Sequence, residues 1–262
     1  MTVTINGVTL AYSDQGQGKP IVFLHAFPVN RTMWEPQMNA LSHTYRTISI
    51  DLRGHGESDA PLWRSTMKQF ADDVIGVLDH LSITQATFVG LSMGGYVLFA
   101  LYRNYPERVA GLVLADTRAQ ADTEDTKAGR MAMAQVAYHQ GAEAIAELML
   151  PKLFSPATLA TKADLIQTVR CLITSTKVSG MVSDLMAMAD RPDATDMLAT
   201  ITCPTLIIVG QDDVATSPSE SQFMADRIPH AHVEMIPDAG HLSNMEQPEA
   251  FTDIVKSFLK KL

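Results

Sequence analysis

Apolar residues recur along this chain in two rhythms. Short, nearly continuous runs of β-favouring residues occur at PIVFLHA (20–26), YRTISIDL (45–52), TFVGL (87–91), VAGLVLAD (109–116), CPTLIIVG (203–210) and HVEMI (232–236). Runs of this kind, bounded by turn residues, predict strands buried on both faces. VTLAYSD (8–14) predicts a further strand, set off from the next by the turn-like QGQGKP. Between these runs the spacing changes. In TMKQFADDVIGVLDHL (66–81) the apolar residues Phe70, Val74, Val77, Leu78 and Leu81 fall on one helical face. MWEPQMNALSH (33–43), the stretch after Ser92, Pro218 to Ile228 and the chain from about Gln247 read as helices as well. Strands alternating with helices predict an α/β fold: a mostly parallel sheet with helices on both faces.

From Thr117 to about Thr200 no strand-like run occurs. AGRMAMAQVAYHQG, AEAIAELML and VSGMVSDLMAMAD carry helical spacing, so this block predicts an all-helical insertion between two strands. It holds seven of the fifteen methionines but only two aromatics, Tyr138 and Phe154. Methionine fills irregular gaps, so the block reads either as plain helix core or as an adaptable apolar roof over a pocket.

A chain of 262 residues suits one large α/β domain carrying such an insertion. Its formal charge of −9 and lack of a Lys/Arg cluster argue against a nucleic-acid partner. Cys171 and Cys203 stand far apart and in no metal-ligand spacing, which predicts neither a disulfide scaffold nor a metal site. No apolar run reaches the roughly 20 residues of a membrane span. MTVTINGVTLAY lacks a basic, then apolar, leader pattern. A cytoplasmic protein without a membrane partner is expected.

The candidate chemistry starts at FVGLSMGGYVLFALY (88–102). Gly90-Leu91-Ser92-Met93-Gly94 is a G-x-S-x-G pattern at a predicted strand-to-helix junction. A sharp turn there would raise the serine hydroxyl clear of the sheet, beside helix N–H groups that have no partner within the helix. A serine nucleophile needs a base, and the base needs an acid to orient it. His241, in the loop DAGHLSNMEQPEAF after the last predicted strand, falls at the same sheet edge as Ser92. His230 and His232 fall at the opposite edge, while His25 and His55 read as loop-shaping residues. For the acid, Asp212 and Asp213 follow one buried strand and Asp116 ends another. The chain order Ser, Asp, His is the one expected on an α/β-hydrolase sheet.

With these residues in place the chain resembles the α/β-hydrolase superfamily, in its serine esterase and lactonase branch. FLHAFP, DLRGHGES, GLSMGG, VGQDD and AGHLSNMEQPEAF stand in the order of that family's landmarks. The resemblance implies an eight-stranded core from residues 1–116 and 201–262, with a helical cap at 117–200 inserted after the sixth strand. It implies Ser92 as nucleophile, Asp213 as acid through its G-x-x-D spacing from Gly210, and His241 as base. It places the oxyanion donors at the backbone N–H groups of Phe27 and Met93. Where the family usually has His-Gly, this chain has His25-Ala26, and alanine is disfavoured if that position needs a positive φ. Trp34 and Tyr138 are the aromatics expected to touch substrate. Asp51, Arg53 and His55 in DLRGHGES are expected to brace loops. No Arg cluster placed to clamp a CoA phosphate or a carboxylate is expected; Arg118, Arg130 and Arg170 are single candidate anchors.

The implied function is cleavage of a small to medium carboxylic ester through an acyl-enzyme, with no metal or organic cofactor. The alternatives are a lactonase or enol-lactonase, a cofactor-free perhydrolase (haloperoxidase), to which the proline of HAFP points, and a ligand-binding sensor with vestigial activity.

Overall fold

Eight strands form one sheet in a computed structural model that describes residues 1–60 and 63–262. In chain order they are β1 (Thr2–Ile5), β2 (Val8–Gln15), β3 (Pro20–Leu24), β4 (Arg46–Ile50), β5 (Ala86–Leu91), β6 (Val109–Ala115), β7 (Thr205–Gly210) and β8 (His232–Ile236). Their spatial order is β1-β2-β4-β3-β5-β6-β7-β8. β4 through β8 pair in parallel; β2 pairs antiparallel with both β1 and β4. The central strands β5 and β7 are buried along their whole length, as their unbroken apolar runs demand, whereas β8, expected to be buried on both faces, lies at the sheet edge and is mostly exposed.

Ten helices accompany the sheet among the described residues. α1 (Glu35–Leu41) packs against α10 (Pro248–Leu259), and α2 (Met67–His80) packs against α3 (Met93–Asn104), so both faces are covered. The predicted face of α2 is the buried one: Phe70, Val74, Val77 and Leu78 have no exposure. Its start is fixed by a capping box, in which Thr66 and Gln69 each bond the other's backbone N–H. α8 (Pro218–Ala225) and the short α9 (Ser243–Glu246) complete the C-terminal part.

The residues between β6 and β7 form α4 (Glu124–Leu153), α5 (Pro156–Thr161), α6 (Ala163–Ser175) and α7 (Val178–Ala189). α4 breaks at Gly141, whose φ of 81° and ψ of −176° lie outside helical space. This segment is tied to the loops at the carboxyl ends of the strands. Thr176 donates to the Pro28 carbonyl (2.7 Å), Lys177 to the Ser58 carbonyl (2.7 Å), and the Ser65 N–H to Ser183 (2.9 Å). A fully buried His55–Asp184 contact joins the DLRGHGES loop to α7. Arg53 pairs with Asp73 through two bonds (2.6 and 2.7 Å), and Asp51 accepts the N–H groups of Arg31 (2.8 Å) and Glu57 (2.9 Å). The charges of this motif therefore hold loops together.

Candidate active site

Ser92 sits between β5 and α3 with φ 55° and ψ −112°, a conformation that an L-residue with a side chain rarely adopts. The chain around it is fixed from several sides. Its N–H donates to the Ala115 carbonyl of β6 (3.0 Å), and its own carbonyl accepts from Gly95 N–H (2.9 Å) and the Thr117 hydroxyl (2.9 Å). The flanking glycines allow α3 to cross close over the sheet. A Cβ on Gly94 would lie 2.3 Å from the Leu24 carbonyl oxygen of β3, a backbone atom that cannot swing away. Gly94→Ala is therefore expected to cost about 1–3 kcal/mol as an overpacking change. Thermal melting checks this, because each kcal/mol shifts the midpoint by about 2–4 °C in a chain of this size. An unchanged midpoint would mean that helix and strand can part freely.

His241 follows β8 in a loop held from beneath. The buried carboxylate of Glu246 accepts from Gly240 N–H (2.7 Å) and Ser155 N–H (2.8 Å), and Leu242 N–H donates to the Leu153 carbonyl (3.2 Å). His241 Nε2 lies 2.8 Å from Ser92 Oγ, and its Nδ1 lies 2.9 Å from Asp213 Oδ2. A carboxylate only accepts, so Nδ1 carries the proton and Nε2 is free to accept the serine proton. Asp213 follows β7 and is itself held by the N–H groups of Ala215 (2.7 Å) and Thr216 (2.9 Å) and by the Thr216 hydroxyl (2.7 Å).

Electrostatics separate the nearby carboxyls. Burial opposes charge on His241, but the charge and hydrogen bond of Asp213, together with the charges of Asp116 and Glu246, outweigh it and hold the imidazole pKa above its usual value. Burial likewise opposes charge on Asp213, and is outweighed by His241 and the Thr216 bonds, which keep its pKa low. For Asp116 the charge of His241 and the bonds from Ser243 and Gly210 also favour the ionised form, but they do not offset what opposes it. Burial first, and then the charge of Asp213, push its pKa well above the usual carboxylate value. It accepts from Gly210 N–H (2.8 Å) and Ser243 Oγ, bracing β7 and the His241 loop, and makes no hydrogen bond to His241. Asp212 is half-buried, has its backbone N–H on Ala239, and makes no side-chain bond to His241.

The N–H groups of Phe27 and Met93 donate to no other group among the described residues; Met93 is the first residue of α3, where no intrahelical acceptor exists. Ala26 has no positive φ, so the alanine is not strained. It is fully buried, its carbonyl accepting from Val29 N–H (3.1 Å) and from His25 Nδ1 (2.9 Å). His25 Nε2 accepts from Leu52 N–H (3.0 Å), and burial followed by the neighbouring His55 lowers its pKa, so it is a neutral brace.

Ser92, His241 and Phe27 open into a cavity of about 140 Å³. Met133 and Met149 of α4 and Met188 of α7 form its apolar side, while Arg118, Arg130 and Lys152 bring cations to it. A larger hollow of about 560 Å³ adjoins it through Tyr96 and Arg118 but is reached by neither Ser92 nor His241. Size alone would select a place away from Ser92 and His241.

Three expectations need correction. Trp34 is fully buried between Phe23 (ring centroids 5.2 Å apart) and Phe251 (5.8 Å) and does not line the cavity. Its turn packs into the core beneath the loop. Tyr138 is 73% exposed, with its ring against His139. It stands five residues beyond the lining Met133, which at 3.6 residues per turn places it well round the helix from the cavity. Cations separated in the sequence are gathered at one cavity, and Arg170 is elsewhere, paired with Glu143 and Glu147. Among the described residues no group of three or more His, Cys, Asp or Glu side chains is placed to hold a metal ion, and no helix is long and apolar enough to cross a membrane.

The alpha/beta hydrolase family model matches residues 21–254, and the chain belongs to that family. It is 32% identical to 3-oxoadipate enol-lactonase 2 of Acinetobacter baylyi, over 99% of this chain and 96% of the relative. Among solved structures it is similar to a thermophilic esterase from Thermogutta terrifontis, determined with malate bound. That match has 42% identity and a TM-score of 0.96, and covers 99% of this chain and 96% of the other. The enol-lactonase of Burkholderia xenovorans LB400 superposes with a TM-score of 0.93 at 31% identity, covering 99% and 100%.

Proposed function

We propose that the protein is a serine hydrolase that cleaves small carboxylic esters or lactones through an acyl-enzyme. The observation that carries this reading is the unbroken relay from Ser92 Oγ to His241 Nε2 (2.8 Å) and from His241 Nδ1 to Asp213 (2.9 Å). His241 takes the hydroxyl proton as Ser92 attacks the carbonyl carbon, and Asp213 orients and stabilises the imidazolium. The N–H groups of Phe27 and Met93 receive the oxyanion. The imidazolium then protonates the departing alkoxide or enolate. Water, deprotonated by the same imidazole, attacks the acyl-Ser92 carbonyl, and collapse restores the serine hydroxyl and frees the acid. Residues 117–200 act as a cap that closes the cavity over this relay, with 1–116 and 201–262 as the catalytic core. The enol-lactonase and esterase names of the relatives support an ester or lactone bond as the target.

A cavity of about 140 Å³ is small beside the roughly 300–1,000 Å³ of drug-sized ligand sites, which favours short acyl groups. Steady-state hydrolysis of p-nitrophenyl acetate, butyrate and octanoate, together with a lactone panel, tests the reading. Saturable turnover on the short esters, falling steeply to the octanoate, is expected, as is stoichiometric labelling of Ser92 by an organophosphonate. No saturable turnover on any ester or lactone, with no label on Ser92, refutes it.

A further inference from the structure

The cavity wall next to Ser92 carries Arg118, Arg130 and Lys152, and no aspartate or glutamate lines it. The counter-charges lie behind the wall. Asp122, with a fully buried side chain, is shared by three guanidinium groups: Arg191 at 2.6 Å, Arg118 at 3.1 Å, and Arg130 in close contact. Glu220 stands 3.7 Å from Arg118. Asp193 adds a third carboxylate whose charge interacts with Arg191, so four cations face three carboxylates around this side of the cavity, leaving positive charge uncompensated. Donors are left over as well. Arg118 Nε is buried without a partner, although an unpaired buried donor is costly. Arg130 Nη1 reaches only the thioether sulfur of Met188, a weak acceptor, at 3.4 Å. Lys152, exposed at the cavity's edge, makes no ion pair among the described residues.

An apolar ester leaves every one of these donors unanswered. A carboxylate has about four lone-pair sites and accepts charge-assisted bonds from just such groups. We infer that Arg118, Arg130 and Lys152 form a subsite for a free carboxylate carried by the substrate away from the bond that is cleaved, so that the preferred substrate is a monoanionic ester or lactone. The inference rests on the esterase reading of Ser92 and narrows it. Met133, Met149 and Met188 then pack the short carbon chain between the two carbonyl groups. The overall charge of −9 does not oppose this, because the cavity's own lining is positive.

The test compares two substrates with one skeleton, monomethyl glutarate and dimethyl glutarate, followed by titration of the acid released. It adds calorimetric binding of glutarate, which reads the subsite without turnover. The wild type should show kcat/KM at least about tenfold higher for the monoanion, equivalent to a binding difference of roughly 1.4 kcal/mol. Arg130→Gln and Lys152→Gln should each shrink that ratio severalfold, mainly through KM, and weaken glutarate binding in parallel. Lys152 is exposed and unpaired, so its variant folds even if loss of the Asp122 bridge harms Arg130→Gln. Turnover of both esters at similar rates, or a preference for the diester, with no Arg130- or Lys152-dependent binding of glutarate, overturns the carboxylate subsite and leaves the esterase reading standing. Glutarate binding that depends on these cations, in a protein that hydrolyses no ester, sustains the subsite and refutes the esterase reading.

Discussion

Replacing Ser92 by glycine or by alanine is expected to abolish hydrolysis in both cases, and the glycine variant is expected to melt above the alanine one. The loss of activity follows from removal of the proposed nucleophile. In a serine hydrolase this costs on the order of a millionfold in kcat, the remainder coming from the oxyanion donors and substrate binding. The order of melting follows from the backbone. Both variants lose the same hydrogen bond to His241, so the comparison cancels that term. What differs is the φ of 55° and ψ of −112° at this position, which costs a residue with a Cβ about 1–3 kcal/mol. Glycine escapes that cost but loses more entropy on folding, by about 0.4–1 kcal/mol. The balance favours glycine by about 1 kcal/mol, or about 2–4 °C in the melting midpoint for a chain of this size. At an ordinary position the order would be reversed. An alanine variant more stable than the glycine variant would show that the elbow is unstrained, and the turn would then hold Ser92 by its neighbours' contacts alone.

The fold was legible because its buried strands carry apolar runs that no amphipathic helix would produce. The edge strand β1 was harder to see. Thr2–Ile5 is only four residues, half of them exposed, and its turn signal is two residues long: Asn6 and Gly7, both at positive φ (51° and 78°), the combination that suits a tight hairpin. The meeting of Ser92, Asp213 and His241 could be anticipated because each stands just beyond the carboxyl end of a strand, and parallel pairing carries those ends to one edge. Which way a side chain faces was less accessible. Trp34 and Tyr138 are aromatics in plausible places, but one packs into the core and the other into solvent, and only the rotation of their helical turns decides that. The cationic wall was invisible for another reason. Arg118, Arg130 and Lys152 are spread over a long stretch of chain, and the break at Gly141 folds the two halves of α4 around one cavity. Glu246 was also missed. It lies within the NMEQPEAF stretch with nothing to mark it, yet its buried carboxylate pins the His241 loop to the segment before α5.

Two buried carboxyls near His241 should respond to very different extents to the same change. Asp213→Asn is expected to lower kcat by roughly ten-thousandfold, because an amide cannot hold the imidazole in the working tautomer or stabilise its cation. The pH profile carries the finer information. His241 must be neutral to accept the Ser92 proton, and its pKa is raised above 6.5, so wild-type activity is lost as pH falls through that raised value. In Asp213→Asn the carboxylate that raised it most is gone while burial remains, and burial favours the neutral ring. The acid limb of the residual activity should therefore move to lower pH. Asp116→Asn should behave differently. Burial pushes the Asp116 pKa well above the usual carboxylate value, so an amide of the same shape removes a charge that burial already disfavours. Its oxygen can keep the Gly210 N–H bond, and its NH₂ can donate to a Ser243 hydroxyl turned to accept. This variant should retain kcat to within severalfold, and because Asp116 adds less than Asp213 to the rise in the His241 pKa, its acid limb should move to lower pH by less than that of Asp213→Asn. If Asp116→Asn instead takes the large loss and the larger move of the limb while Asp213→Asn takes neither, the imidazole is oriented by the carboxyl that follows β6. The 2.9 Å contact to Asp213 would then be a resting contact that catalysis does not use.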